Sequence, residues 1–135
     1  MRKIILIAIL ALVSAVSAAA QQKFVSSLSG GQEVPANNST GSGTCIVTLN
    51  AAETSISVAC SYSGLGSNLQ ADHIHGTAAV GANAPILIGF GITGGPSGTF
   101  NVGPFAVTPT QVANMRAHLW YINLHSVNFP AGEIR

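Results

Sequence analysis

The residues of this chain best suited to chemistry are its histidines, of which the sequence has four. His73 and His75 are separated by one residue. Because side chains alternate along a strand, the two rings would project from one face, roughly 6–7 Å apart. Two imidazoles in this arrangement can bind one metal ion if other segments supply the remaining ligands. A lone His-x-His pattern is a weak signal, however, and both can be ordinary strand residues.

A later segment offers a third imidazole. In the predicted strand 119–126, Trp120, Ile122 and Leu124 alternate and are predicted to face the core, so His125 faces outward. If this strand neighbours that of His73 and His75, the three rings converge and leave an open position for water or substrate. Such a set suits Zn²⁺ or Cu²⁺. The opposing interpretation is that exposed histidines on a polar strand face bind no ion.

Three polar residues near these histidines are candidates for supporting a site. Tyr121 and Asn123 share the outward face with His125 and are expected to supply hydrogen bonds. Asp72 is expected to fix the tautomer of one ring. His118, the fourth histidine, follows a predicted helix and is interpreted as its end cap.

The first twenty residues predict a secretory signal peptide. The start is basic, residues 4–13 are apolar and uncharged, and small residues lead to a cleavage site after Ala18 or Ala20. The apolar run is too short to span a bilayer core of roughly 30 Å as a helix. We therefore predict residues 1–20 as a signal peptide, residues 21–135 as one domain without a membrane span, and a secreted or periplasmic location.

The predicted mature chain carries few charges. Three cations oppose four carboxylates, which leaves a net charge near −1 with neutral histidines. No basic face for nucleic acid or anionic lipid is indicated. Glu33 is a candidate for a structural ion pair with Arg135 or Arg116. Glu133 is a further candidate, and it is expected to share the solvent-facing side of the last strand with Arg135.

Export also bears on the two cysteines, Cys45 and Cys60. In an oxidising compartment a pair of cysteines is by default a disulfide. Residues 43–50 and 55–64 predict a hairpin whose pairing places the two cysteines opposite each other. A two-thiolate metal site is the alternative, which the lack of a Cys-x-x-Cys spacing disfavours.

Short strands at regular spacing make up most of the remaining chain. Residues 69–75 are predicted as the strand of the histidine pair, and its regular part is expected to begin near Asp72, because regular alternation from Leu69 would turn that leucine outward. One short helix is predicted at 109–117, with a threonine cap and proline in its first turn. This pattern predicts an all-β antiparallel sandwich of the Greek-key type. Its strands, about eight in number, are predicted at 23–29, 43–50, 55–64, 69–75, 85–90, 99–102, 119–126 and 133–135.

Four sequence blocks, in this order and at this spacing, resemble the CHRD domain, the chordin-type module. They are LSGGQEVP at 28–35, HIHG at 73–76, YINLHS at 121–126 and PAGEIR at 130–135. The resemblance covers residues 23–135. It implies an extracellular or periplasmic β-sandwich, and in animal chordins such modules occur in a secreted antagonist of growth factors. The expected function is therefore non-catalytic binding of an extracellular protein partner or a metal ion.

The chain is more faintly similar to copper-zinc superoxide dismutases. These also have a His-x-His strand, a later strand histidine and an intrachain disulfide in an exported sandwich. Only His73, His75 and His125 carry over as candidate copper ligands, and the similarity implies Arg135 as a residue that guides anions. The bridging histidine and the zinc-loop ligands have no counterpart. A copper-dependent dismutase-like redox enzyme and a purely structural envelope or matrix protein are therefore the alternatives to a non-enzymatic binding module.

Overall fold

A computed structural model describes residues 20–135, so nearly all of the predicted signal peptide lies outside the described residues. Seven strands in this part form two antiparallel sheets, which confirms the predicted sandwich. The first sheet has the order β1 (Gln22–Ser29), β2 (Ser42–Leu49), β3 (Ser55–Ser63), β6 (Gly98–Ala106). The second has the order β5 (Ile86–Gly89), β4 (Leu69–Gly76), β7 (Trp120–Ser126). A 3-10 turn, Gly30–Gln32, follows β1, and the helix α1, Pro109–Arg116, precedes β7.

The core lies between the two sheets because apolar residues alternate with polar ones along the strands. In β3 every second residue from Ile56 to Tyr62 is buried. The second sheet contributes Ile74, Ile122 and Leu124 to the same cluster. No helix within residues 20–135 has the length and apolar character needed to cross a membrane.

The predicted disulfide is confirmed. The hairpin of β2 and β3 pairs Cys45 directly with Cys60, and the two are bonded. Both side chains are buried. The bond therefore lies inside the core and links two neighbouring strands.

Strand β4 begins at Leu69, as predicted, and it is irregular before Asp72, as expected. Its register with β7 shifts between Leu69 and Ala71. Such an irregularity adds one residue to the strand and reverses the facing of the residues before it. Leu69 and Asp72 are consequently both buried, while His73 and His75 stay on the outer face.

The end of the chain is buried rather than an ordinary strand. Ile134 forms a single bridge to Leu124 of β7, and the backbone of Arg135 exchanges hydrogen bonds with Ser29 of β1. The relative exposure is 0% for Glu133 and 7% for Arg135. The predicted solvent-facing position of these two side chains was wrong, because residues 133–135 close the gap between the two sheets.

The end of helix α1 confirms the predicted place of His118. Its backbone has a φ of 56°, in the left-handed region that ends many helices. The His118 N–H donates to the Met115 carbonyl at 3.1 Å. The cap is therefore made by the backbone of His118, and the helix starts with a capping box between Thr108 and Gln111.

Replacing both cysteines, as Cys45→Ala with Cys60→Ala, should lower the free energy of unfolding by about 3 kcal/mol. The physical reason is that the unfolded chain recovers the entropy of a loop with a sequence separation of 15. Urea unfolding followed by circular dichroism measures the difference. A reductant should lower the free energy of unfolding of the wild type to that of the variant, and it should leave the value for the variant unchanged. Equal stability of the oxidised wild type and the variant would contradict this account.

Candidate metal centre

The pairing of β4 with β7 brings the predicted histidines together. The strands are antiparallel neighbours, with His75 opposite Tyr121 and Ala71 opposite His125. All three histidines therefore share the outer face of the second sheet. Strand adjacency was the condition that the sequence could not supply.

The three rings are close enough to bind one ion. Each of His73, His75 and His125 offers a nitrogen within 4.8 Å of the others. His73 Nδ1 lies 3.2 Å from His125 Nε2. Two imidazole nitrogens on one tetrahedral Zn²⁺, each at about 2.0–2.1 Å, lie about 3.3 Å apart. This separation fits two nitrogens that share one ion, and it is also a hydrogen-bonding distance between the two rings.

Backbone carbonyls set the tautomers of two rings. His75 Nδ1 lies 2.9 Å from the Ala84 carbonyl oxygen, and His125 Nδ1 lies 3.0 Å from that of Pro130. A carbonyl only accepts, so each Nδ1 carries the proton and donates it. Each Nε2 therefore presents a lone pair, as in metal-ligating histidines whose second nitrogen donates to an outer partner.

The Nε2 atom of His75 is buried and has no hydrogen-bond partner among the described residues. A buried lone pair without a partner is costly and demands an explanation. The ring cannot easily turn away, because it stacks on Tyr121 with a centroid distance of 4.9 Å and an interplanar angle of 4°. A bound metal ion would satisfy this atom.

Burial favours the neutral, ligating form of His73 and His125. Desolvation lowers the pKa of His73, and the neighbouring His125 and His75 lower it further. Desolvation also lowers the pKa of His125, against the opposing effect of its bond to Pro130. Neutral imidazoles do not have to release a proton before they bind a metal ion.

Tyr121 supports the cluster indirectly. Its hydroxyl accepts a hydrogen bond from the Ala84 N–H at 3.2 Å. Because the carbonyl of Ala84 accepts from His75, the tyrosine positions the residue that orients the ring. Asn123 donates instead to Glu33 Oε1 at 2.7 Å and forms no hydrogen bond to a described histidine.

The predicted role of Asp72 was wrong. The side chain lies on the core face of β4, opposite the histidines, and is 1% exposed. Its Oδ1 accepts from the Ile92 N–H at 3.0 Å, and its Oδ2 has no partner among residues 20–135. Burial raises the pKa of Asp72, although backbone hydrogen bonds from Ile92 and Gly91 partly oppose this.

The predicted ion pairs of Glu33 and Arg135 were also wrong. Arg116 pairs with Glu53 at 2.6 Å on the surface. Glu33 is held by the Asn123 amide, and burial raises its pKa against the opposing charge of Arg135. Neither Glu33 nor Arg135 forms a salt bridge within the described part of the chain.

Glu133 has a structural role without a cation. Its Oε1 accepts from Ser39 Oγ and from the Gly66 N–H, both at 2.6 Å. These bonds fasten the loop before β2 and the turn before β4 to the end of the chain. An ion pair is therefore not what holds this carboxylate.

The supporting groups that the sequence did not reveal are main-chain atoms. Ala84 lies in a loop after the His73–His75 pair, and Pro130 lies in a turn after His125. Carbonyl groups carry no residue-type signal. The only available hint was that each loop follows directly after a histidine-bearing strand.

Comparison with known proteins gives one match. The family model of the CHRD domain matches residues 24–135. No curated protein and no solved structure matches the chain.

The substitution Asp72→Asn should change how stability depends on pH. Burial raises the folded-state pKa of Asp72, so the unfolded state loses this proton first as the pH rises from the ordinary value of 3.8. As the pH rises from 3.8 to the raised folded-state pKa, the wild type therefore loses stability, and this loss persists at higher pH. The free energy of unfolding of the variant relative to wild type should rise from pH 3 to pH 7, as measured by urea unfolding.

The comparison isolates one carboxyl group, because all other titrations occur in both proteins and cancel in the difference. The amide keeps an oxygen to accept from Ile92, and any fixed cost of its NH₂ group is the same at every pH. A difference that stays constant between pH 3 and pH 7 would show that Asp72 does not ionise at a raised pKa.

Proposed function

Because this chain belongs to the CHRD domain family, we propose that it is an extracytoplasmic β-sandwich module that binds one Cu²⁺ or Zn²⁺ ion. The ligands are His73, His75 and His125. The observation that carries the proposal is the prearranged lone pairs. Two rings donate Nδ1–H to backbone carbonyls, and the Nε2 of His75 is buried with no partner among residues 20–135.

The chemistry of the ligand set supports these two metals. The cluster consists of three imidazoles, which suit copper and zinc. Thiolates are not available from Cys45 and Cys60, because these are joined in a disulfide. Copper binds more tightly than zinc to a given nitrogen site in the Irving–Williams order, so we expect Cu²⁺ to displace Zn²⁺.

Several features support a location outside the cytoplasm. The buried disulfide is typical of proteins that mature in oxidising compartments. The first twenty residues have the composition of a secretory signal peptide. Metal binding or recognition of an extracellular protein would then take place in a secreted or periplasmic setting.

The redox alternative rests on the open coordination position. Three ligands leave room for water or a small substrate at the ion, as in catalytic metal sites. Superoxide consumption by the copper-loaded protein, compared with free Cu²⁺ at the same concentration, distinguishes an enzyme from a binding module. We expect no consumption above that of free copper.

Cu²⁺ or Zn²⁺ should stabilise the wild type against unfolding, and His75→Ala should abolish most of the effect. A ligand at 100 times its dissociation constant raises the free energy of unfolding by about 2.7 kcal/mol. Urea unfolding of the metal-free protein with and without added metal measures this. The loss of one of three ligands removes the chelate, so the variant should respond little.

The matched control is His118→Ala, which removes the one histidine outside the cluster while its capping function is carried by the backbone. This variant should keep the full response to metal. The proposal fails if the wild type shows no stabilisation, or if His75→Ala and His118→Ala respond alike.

The substitution Tyr121→Phe should weaken metal binding by about tenfold, the lower end of outer-shell effects. It keeps the ring stacked on His75 but removes the hydroxyl that positions Ala84. Isothermal titration with Zn²⁺ measures the dissociation constant. The control is Tyr62→Phe. The hydroxyl of Tyr62 donates to the Gly95 carbonyl, and Gly95 is distant in sequence from the three histidines. If the two variants bind Zn²⁺ with equal affinity, the Tyr121 hydroxyl does not support the metal site.

A further inference from the structure

A cavity of about 460 Å³ lies beside the candidate metal centre. Its walls come from residues 31–34 after β1, from the loop 78–82, from the start of β7 and from Arg135. None of the three clustered histidines lines it. Its size falls within the roughly 300–1,000 Å³ range of small-molecule sites.

Arg135 is the buried cation of this cavity. Its relative exposure is 7%, and Nε and Nη1 donate to the Gln32 carbonyl and to Asn83 Oδ1. Its Cζ atom also lies 4.5 Å from the centroid of the Tyr121 ring. These neutral partners fix the orientation of the guanidinium, while Nη2 donates to none of residues 20–135. The guanidinium forms no salt bridge with a described residue, and the burial of a charge is repaid chiefly by a closely paired opposite charge.

Glu33 lines the same cavity but does not neutralise Arg135. Its Oε1 accepts from the Asn123 amide and is packed against Gly132, where an added Cβ would come within 2.9 Å of it. No salt bridge joins the carboxylate to the guanidinium within the described residues. The charge of Glu33 therefore favours a monoanion over a more highly charged ligand.

Apart from Arg135, Glu33 and the polar residues Ser26, Gln32 and His118, the wall is apolar. Ala78, Ala79 and Val80 form one part, and the Trp120 and Tyr121 rings form another. Such a surface suits a flat or compact apolar body, whereas inorganic phosphate would leave most of its oxygens against apolar side chains. We propose that this cavity binds a small apolar monocarboxylate, whose oxygens accept from Nη2 of Arg135 while its body packs against the Trp120 and Tyr121 rings. This inference does not depend on metal binding.

Fluorescence of Trp120 can test the proposal, because it is the one tryptophan in the sequence. Benzoate and its neutral analogue benzamide are titrated separately into the full mature protein, with chelator present to remove metal. A hydrogen bond to a charged group is stronger than one between neutral groups, and the difference in free energy corresponds to about a tenfold difference in affinity. Benzoate should therefore saturate the signal at a concentration about tenfold below benzamide.

Charge variants locate the anchor. Arg135→Gln should abolish the preference for benzoate, and Arg116→Gln, which alters an exposed arginine paired elsewhere, should keep it. Glu33→Gln keeps an oxygen for Asn123 but removes the negative charge, so it should bind benzoate more tightly than wild type. If Arg135→Gln does not fold, the proposal is still tested by the affinities of the wild type for benzoate and benzamide, and by the affinity of Glu33→Gln for benzoate.

Three results would overturn the proposal. The first is equal affinity of the wild type for benzoate and benzamide. The second is a benzoate preference that survives in folded Arg135→Gln. The third is displacement of benzoate by inorganic phosphate at equal concentration, which would show that the site recognises anions without regard to an apolar body.

Discussion

The antiparallel pairing of β4 with β7 is the interaction on which the candidate site depends. It sets His75 beside Tyr121 and brings His125 alongside the strand of the other two histidines. Because strand side chains alternate, a slip of β4 by one residue would turn His73 and His75 into the core, away from His125, and Ile74 into solvent. Burial of Ile74, Ile122 and Leu124 between the sheets therefore fixes the register, and with it the distances among the histidine nitrogens.

The last six residues add a second constraint that serves both fold and site. The Pro130 carbonyl orients the ring of His125, and Glu133 fastens two loops through its hydrogen bonds. Ile134 and Arg135 join the edge of β7 to the edge of β1. Gly132 permits this course, since its φ of 129° and its close approach to Asn123 exclude a side chain. This explains why the PAGEIR block contributes to the site without providing a metal ligand.

Residue type and spacing within a strand were sufficient to predict the sandwich, the disulfide and the outward facing of the three histidines, but not that their two strands are neighbours. Prediction failed where long-range packing decides. The irregularity near Leu69 let Asp72 face the core, and closure by residues 133–135 buried Glu133 and Arg135. The carbonyl partners of His75 and His125 were also beyond prediction, since main-chain acceptors have no residue signature.

Tyr121 is the residue where the two chemically distinct regions of the molecule meet. One ring contact supports His75, and another supports Arg135 at the wall of the cavity. Two adjacent residues of one loop also contact one region each. Asn83 accepts a hydrogen bond from Arg135, and Ala84 accepts one from His75. A ligand that shifted this loop at one site would alter the geometry at the other, and any such coupling must be reciprocal. The loop 82–84 and Tyr121 therefore form the physical connection through which the two sites would influence each other.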